Sequence, residues 1–191
     1  LGNYPVLRLL MIHDGISGIA SLIVFLAYIP RLRASDISDH ALIVIYCVFH
    51  IMSYLNARFL AKKLDLRFGA PQVINTATAL SVILTISVAY FDELWLASVL
   101  MVLVWTTICS REVYYLKYSQ QFIPDKIRAT TNSMMSFARR LVEIPCLLLA
   151  AALATHEMTE VFLFVALLNA VLLLTRFPDL QKIREESPAA I

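Results

Sequence analysis

Apolar residues along this chain come in long runs, not in alternation with polar ones. The runs "LMIHDGISGIASLIVFLAYI", "ALIVIYCVFHIMSYL", "SVILTISVAY", "LASVLMVLVWTTIC", "LLLAAALA" and "VALLNAVLLL" are separated by short polar stretches. A bilayer core about 30 Å thick takes about 20 apolar residues in a helix. Membrane-crossing strands would instead need alternating segments of about ten residues. The pattern therefore predicts an all-α integral membrane protein forming one bundle of six transmembrane helices. Their expected bounds are residues 7–29, 41–60, 73–91, 94–115, 126–154 and 158–177, followed by a tail over 178–191. Pro30 and Pro178 are read as stops for the first and last helix, and the fifth has an amphipathic lead-in from Lys126.

Composition sharpens the class. Only 16% of the 191 residues are charged, and mean hydropathy is +0.74. A soluble domain carries about a quarter charged residues. A net charge of +2 is too small to argue for nucleic acid. Cys47, Cys109 and Cys146 fall inside apolar runs without metal-ligand spacing, so they read as small core residues, and no metal or cofactor is expected. "LGNYPVLRLL" has neither an initiator Met nor a small-residue cleavage site, and reads as the start of a first span within a longer chain.

Basic residues set the expected orientation. Arg8, Arg58, Lys62, Lys63, Arg67, Arg111, Lys117, Lys126, Arg128, Arg176, Lys182 and Arg184 fall on one side of a six-span chain. The other side holds Arg31 and Arg33 beside Asp36 and Asp39, with the acidic links "FDEL" and "HEMTE". By the positive-inside bias both termini are cytoplasmic, in a multi-pass protein of the plasma (inner) membrane.

At about 100° per residue, polar positions gather on single faces. Asp14, Ser17, Gly18, Ser21 and Tyr28 share one in the first span, and Tyr46, His50, Ser53 and Tyr54 one in the second. Ser98, Trp105, Cys109 and Glu112 share one in the fourth, and Asn132, Ser136, Arg139 and Glu143 one in the fifth, with Arg140 at its edge. Such faces must meet protein or water, not lipid. Asp14, Glu112, Arg139, Arg140 and Glu143 all fall in one shallow cytoplasmic layer. Structurally, Arg139 and Glu143 are spaced to pair within their helix, and the arginines can snorkel. Functionally, the layer would close the cytoplasmic end of a cavity, with Asp14 as proton carrier. Ser17, Ser21, His50, Ser98, Trp105 and Glu112 are the other cavity-lining candidates. His50 is also read as a hydrogen-bonded interior histidine, and Trp105 as packing.

Two loops resemble those of a known family. "IPDKIRATTNS" is similar to the link before the eleventh helix of major facilitator superfamily transporters, with Pro124, Arg128, Ala129, Thr130 and Ser133 matching. "KKLDLRFGAP" resembles the second copy of that superfamily's loop motif through Leu64, Arg67 and Gly69, although Leu66 stands at the motif's acidic position. The resemblance implies that the chain corresponds to the C-terminal six-helix half of a transporter, built as two inverted three-helix repeats. It implies that Arg67, Gly69, Pro124, Arg128, Thr130 and Ser133 latch one closed state, together with the Arg139, Arg140 and Glu143 layer. It also implies that the third and sixth spans face lipid.

The expected function is secondary active transport of a small solute by alternating access, with proton-coupled efflux of amphipathic compounds as the favoured form. Uptake of a nutrient or metabolite by the same fold, or a non-transporting six-helix scaffold, are the alternatives. The partners are membrane lipid, the solute and an N-terminal six-helix half, in the same chain or a dimer. An enzyme is not expected: "NAR" at Asn56–Arg58 matches part of a phosphatidyltransferase motif, but only Asp65 follows it before Asp92.

Overall fold

The computed structural model describes residues 5–34, 37–123, 128–175 and 177. These form seven α-helices: α1 (Pro5–Arg33), α2 (Asp39–Leu55), α3 (Ala61–Phe68), α4 (Ala70–Tyr90), α5 (Leu94–Phe122), α6 (Arg128–Ala154) and α7 (Met158–Thr175). A π-helical turn at Asn56–Leu60 joins α2 to α3. Five stretches are long and apolar enough to cross a bilayer: Leu9–Arg33, Asp39–Leu60, Ala70–Tyr90, Leu94–Tyr115 and Met158–Thr175. The chain is thus an all-helical protein of the membrane class.

The helix starts follow local rules. Ser38 caps α2 by accepting from the Ala41 amide at 3.3 Å, and Asp39 places a carboxylate in the first turn. Gly69 turns the chain from α3 into α4 at φ 75°, a conformation that suits glycine, and Pro71 follows inside the first turn.

Short links make successive long helices antiparallel and give the bundle two distinct ends. One end carries Arg33, Asp39, Asp92, Glu93, Glu157 and Glu160, and is called here the acidic end. The other carries Arg58, Lys63, Arg67, Arg111 and Arg128, and is the basic end.

The most extensive packing is between α4 and α7, with α5 against α4 and α1 lying across α5, α7 and α6. The inward face of α4 includes Ala70, Thr78, Ser81, Thr85 and Ala89. Thr78, Ser81 and Thr85 return their hydroxyls to carbonyls one turn back, at 2.6–2.8 Å. Small residues with satisfied hydroxyls let backbones approach closely, and close packing drives helix association in lipid. Ile23, Met101, Val104, Ile108, Phe162 and Val165 lie in the main core, while Leu10, Ile74, Tyr114, Tyr115 and Phe177 form a second cluster at the basic end.

Several expectations are corrected. Pro30 does not end α1, which continues to Arg33 and links the Ala34 amide back to the Pro30 carbonyl at 3.1 Å. A proline lacks its own N–H and crowds the carbonyl one turn back, but the turn after it can resume. The third helix begins at Ala70, not at residue 73, because Gly69 supplies the break. The loop read as "AKKLDLRFGAP" contains the helix α3. The fifth predicted span, within α6, is not among the five bilayer-length apolar stretches. Its uninterrupted apolar portion, residues 144–154, rises only about 16 Å. Within this chain the third and sixth spans pack more than the second does. Half of the α4 span and 33% of the α7 span are buried, against 17% for α2. The Lys126 lead-in, the Pro178 stop and the 178–191 tail lie outside the described residues.

Candidate functional site: a charged layer across three helices

The charged layer assembles toward the basic end, where α1, α5 and α6 meet. Asp14 on α1 and Glu112 on α5 are half-buried. Each lies within electrostatic reach of the other and of Arg139 on α6. Ser21, two turns along α1 from Asp14, is a hydrogen-bond neighbour of Glu112. Arg139 reaches both carboxylates through space, without a direct ion pair to either. Its guanidinium instead packs directly on Gly18 of α1, where a side chain would collide with it. Gly18 therefore leaves room for a cation within electrostatic reach of carboxylates from two helices.

The predicted Arg139–Glu143 pair is not formed. Arg140 pairs with Glu143 at 2.7 Å across three residues, and Arg139 is drawn to α1. Both spacings reach along a helix; the carboxylates and the space above Gly18 decide between them.

The remaining cavity candidates divide by face. Ser17 is buried, and its hydroxyl has no hydrogen-bond partner. Trp105 packs among aromatic rings, stacking on Phe49 at 5.9 Å and meeting Phe25 at 5.5 Å. Its indole N–H is buried without an acceptor. His50 is not interior: it lies on the exposed side of α2 with its ring edge on Tyr46 at 4.4 Å. Tyr28 and Tyr46 extend this aromatic band between α1 and α2, with ring centroids 6.4 Å apart. Ser98 is buried near the acidic end of α5, where it returns its hydroxyl to the Leu94 carbonyl at 2.7 Å, far along the helix from Glu112. Cys109 accepts from Ser53 at 3.4 Å, and Cys47 is exposed. Among the described residues, no three His, Cys, Asp or Glu side chains converge as metal ligands would.

The loop candidates stay apart from this layer. Arg67 lies over the Phe68 ring at 5.2 Å, and Gly69 makes the turn into α4. Arg128 donates to the Ile123 carbonyl at 3.3 Å, and Thr130 and Ser133 are exposed. Pro124 lies outside the described residues.

Two arginines emerge that sequence patterns did not single out. Arg111 is fully buried and donates through Nη1 to Asn169 of α7 at 2.6 Å and Thr78 of α4 at 3.4 Å. Its Nε and Nη2 have no acceptor. Beside it, His13 links Tyr115 at 3.4 Å to Thr175 at 3.1 Å, tying α1, α5 and α7 together. The available signal was Asn169, a lone amide in "VALLNAVLLL", which needs a polar partner inside a bilayer. At the acidic end, Arg31 donates to the Val88 and Phe91 carbonyls at 3.1 and 2.8 Å and to Asp92 at 2.8 Å. It places a cation on the negative end of α4.

Chemically, the layer sets two carboxylates that can exchange protons near one cation. No protein-family model matches the chain, and neither does any curated protein or solved structure.

Proposed function

We propose that this chain is a six-helix half of a secondary active transporter, with Asp14 coupling solute movement to a proton. The observation carrying the proposal is one guanidinium, Arg139, shared by carboxylates from two other helices on a half-exposed face. Ionisable groups are costly among bilayer-length helices and mark ion or substrate pathways. With both carboxylates charged, Arg139 holds α6 against α1. When Asp14 takes a proton that attraction weakens, and α6 is released to rock. Lacking a side chain, Gly18 lets the guanidinium move across it.

In this reading α6 is the sixth crossing. Its 27 residues are about 40 Å long, enough to span, with its charges in the half that faces α1 and the cytoplasm. The basic end is cytoplasmic by the positive-inside bias, in the plasma (inner) membrane, with both termini on that side. The sparsely buried α2 and the open side of α6 meet a second six-helix unit, in the same chain or a dimer, and the solute cavity lies between the units. The two inverted repeats and the loop latch come from the sequence resemblance. The aromatic band of Phe25, Tyr28, Tyr46 and Trp105 favours amphipathic solutes over small ions.

The test is flux in proteoliposomes containing the full-length protein under an imposed pH gradient. Asp14→Asn should abolish gradient-driven transport and leave downhill solute exchange. Gradient-driven flux that persists unchanged removes Asp14 from the mechanism.

A further inference from the structure

The π-helical turn at Asn56–Leu60 opens a second site on the opposite side of α5. Asn56 is buried and donates to the Thr106 carbonyl at 3.2 Å and to Ser110, anchoring the turn on α5. π-turns inside α-helices frequently sit at functional positions. Here the anchored turn and Gly69 frame α3, which packs on α4 and α5. Between them lies a groove of about 300 Å³.

The groove is graded in polarity. Leu60, Leu64, Phe68, Val73, Ala77 and Leu80 supply apolar walls. Gln72, Thr76, Thr107 and Ser110 add polar atoms within it. Phe68 is also the ring beneath the Arg67 guanidinium, at 5.2 Å, so a cation stands at the mouth. Lys63, Leu66 and Arg67 are exposed along the same short helix. From Gln72 to Leu80 the groove descends about 12 Å along α4, close to the depth of one leaflet's hydrocarbon.

We propose that this groove binds an anionic phospholipid, with the phosphate at Arg67 and Lys63 and one acyl chain along α4. A soluble phosphate would leave the apolar walls empty, and a zwitterionic lipid brings a cation of its own that competes with Arg67 and Lys63 for the phosphate. The chemistry fits a ligand with both parts, which the surrounding bilayer supplies. Basic residues at a membrane surface attract anionic headgroups at about 1 kcal/mol each, while the groove adds selection by shape.

The test uses the protein in nanodiscs of mixed phosphatidylglycerol and phosphatidylcholine, followed by detergent release and native mass spectrometry of retained lipid. Phosphatidylglycerol should be enriched several-fold over its share of the disc. Arg67→Gln, at an exposed position, should bring the ratio to that of the disc. Gln72→Trp, which fills the groove, should reduce retention of both lipids. Arg33→Gln at the acidic end should retain the unmodified ratio. Enrichment surviving both Arg67→Gln and Gln72→Trp overturns the proposal. So does full displacement by soluble glycerophosphate, since the tail then contributes nothing. Elution volume and helical circular dichroism identify any variant that fails to fold, and the Arg67→Gln result then decides.

Discussion

The Arg139 guanidinium of α6 rests on Gly18 of α1, in the space where a Cβ would otherwise stand. What meets that Cβ is the far end of a flexible side chain, not backbone. Gly18→Ala should therefore push Arg139 off its seat and leave the helices in place. The expected result is a stability change below about 1 kcal/mol, since a helical Gly→Ala change itself stabilises by roughly that amount. Transport should fall at least tenfold, because the cation is displaced from its place near Asp14 and Glu112. A variant with native melting temperature and native flux would show that the seat has no role in the cycle.

Arg111 and Asn169, both fully buried, meet at 2.6 Å. Asn169→Leu leaves the guanidinium buried with only a distant hydroxyl for an acceptor. It should cost about 2–3 kcal/mol, the range for a buried charged group losing a hydrogen bond. The double change Arg111→Met with Asn169→Leu should recover most of that loss, since replacing both partners by apolar groups removes the uncompensated charge. Thermal unfolding of the three variants in one detergent measures this. A double variant no more stable than Asn169→Leu alone would mean that the cation is compensated elsewhere.

These two arginines also mark how far the sequence could be read. Hydropathy located the five bilayer-length helices, because their apolar runs are long, and it counted a sixth in α6, whose apolar portion is too short. It placed Asp14, Glu112 and Arg139 at one depth, and the structure brings the three within electrostatic reach. It mispaired Arg139 with Glu143, because i+3 and i+4 are both open to a helix and the choice lies with α1. Arg111 was passed over beside Glu112. Adjacent residues point about 100° apart, and only the packing of α4 and α7 shows that Arg111's side is the closed one. The polar face that His50 shares predicts an interior position, but that face of α2 is open in this chain. The helix α3 was missed because eight residues, with two lysines, an aspartate and an arginine, make no apolar run.

Arg31 and Arg33 stand two residues apart and should differ sharply in effect. Arg31 is buried and donates to the Val88 carbonyl of α4, the Phe91 carbonyl just past its end, and Asp92. Arg31→Met should cost about 1.5–3 kcal/mol through lost charge-assisted hydrogen bonds. Arg33 pairs with Asp39 at 3.1 Å in the open, with both side chains mostly exposed. Arg33→Met should cost less than about 0.5 kcal/mol. Melting temperatures should separate the two by several degrees, at roughly 2–4 °C per kcal/mol for a chain of this size. Equal shifts would mean that Arg31 adds nothing beyond a surface pair.

Glu143 and Arg140 share an ion pair whose two sides face different surroundings. The Glu143 side chain is 3% exposed and that of Arg140 is 73%. The carboxylate has given up its solvation, while the cation retains most of its own. Removing the cation should therefore hurt more than neutralising the anion. Arg140→Gln leaves a buried charge without its partner and should destabilise by about 1–3 kcal/mol, reduced from the fully buried case because water reaches the vacated side. Glu143→Gln removes the buried charge, leaves Arg140 on the open side of α6, and should stay within about 1 kcal/mol of the unmodified protein. Unfolding midpoints of the two single variants decide the order. If Glu143→Gln proves the more damaging, the carboxylate has a second cationic partner, and the adjacent Arg139 is the first to replace.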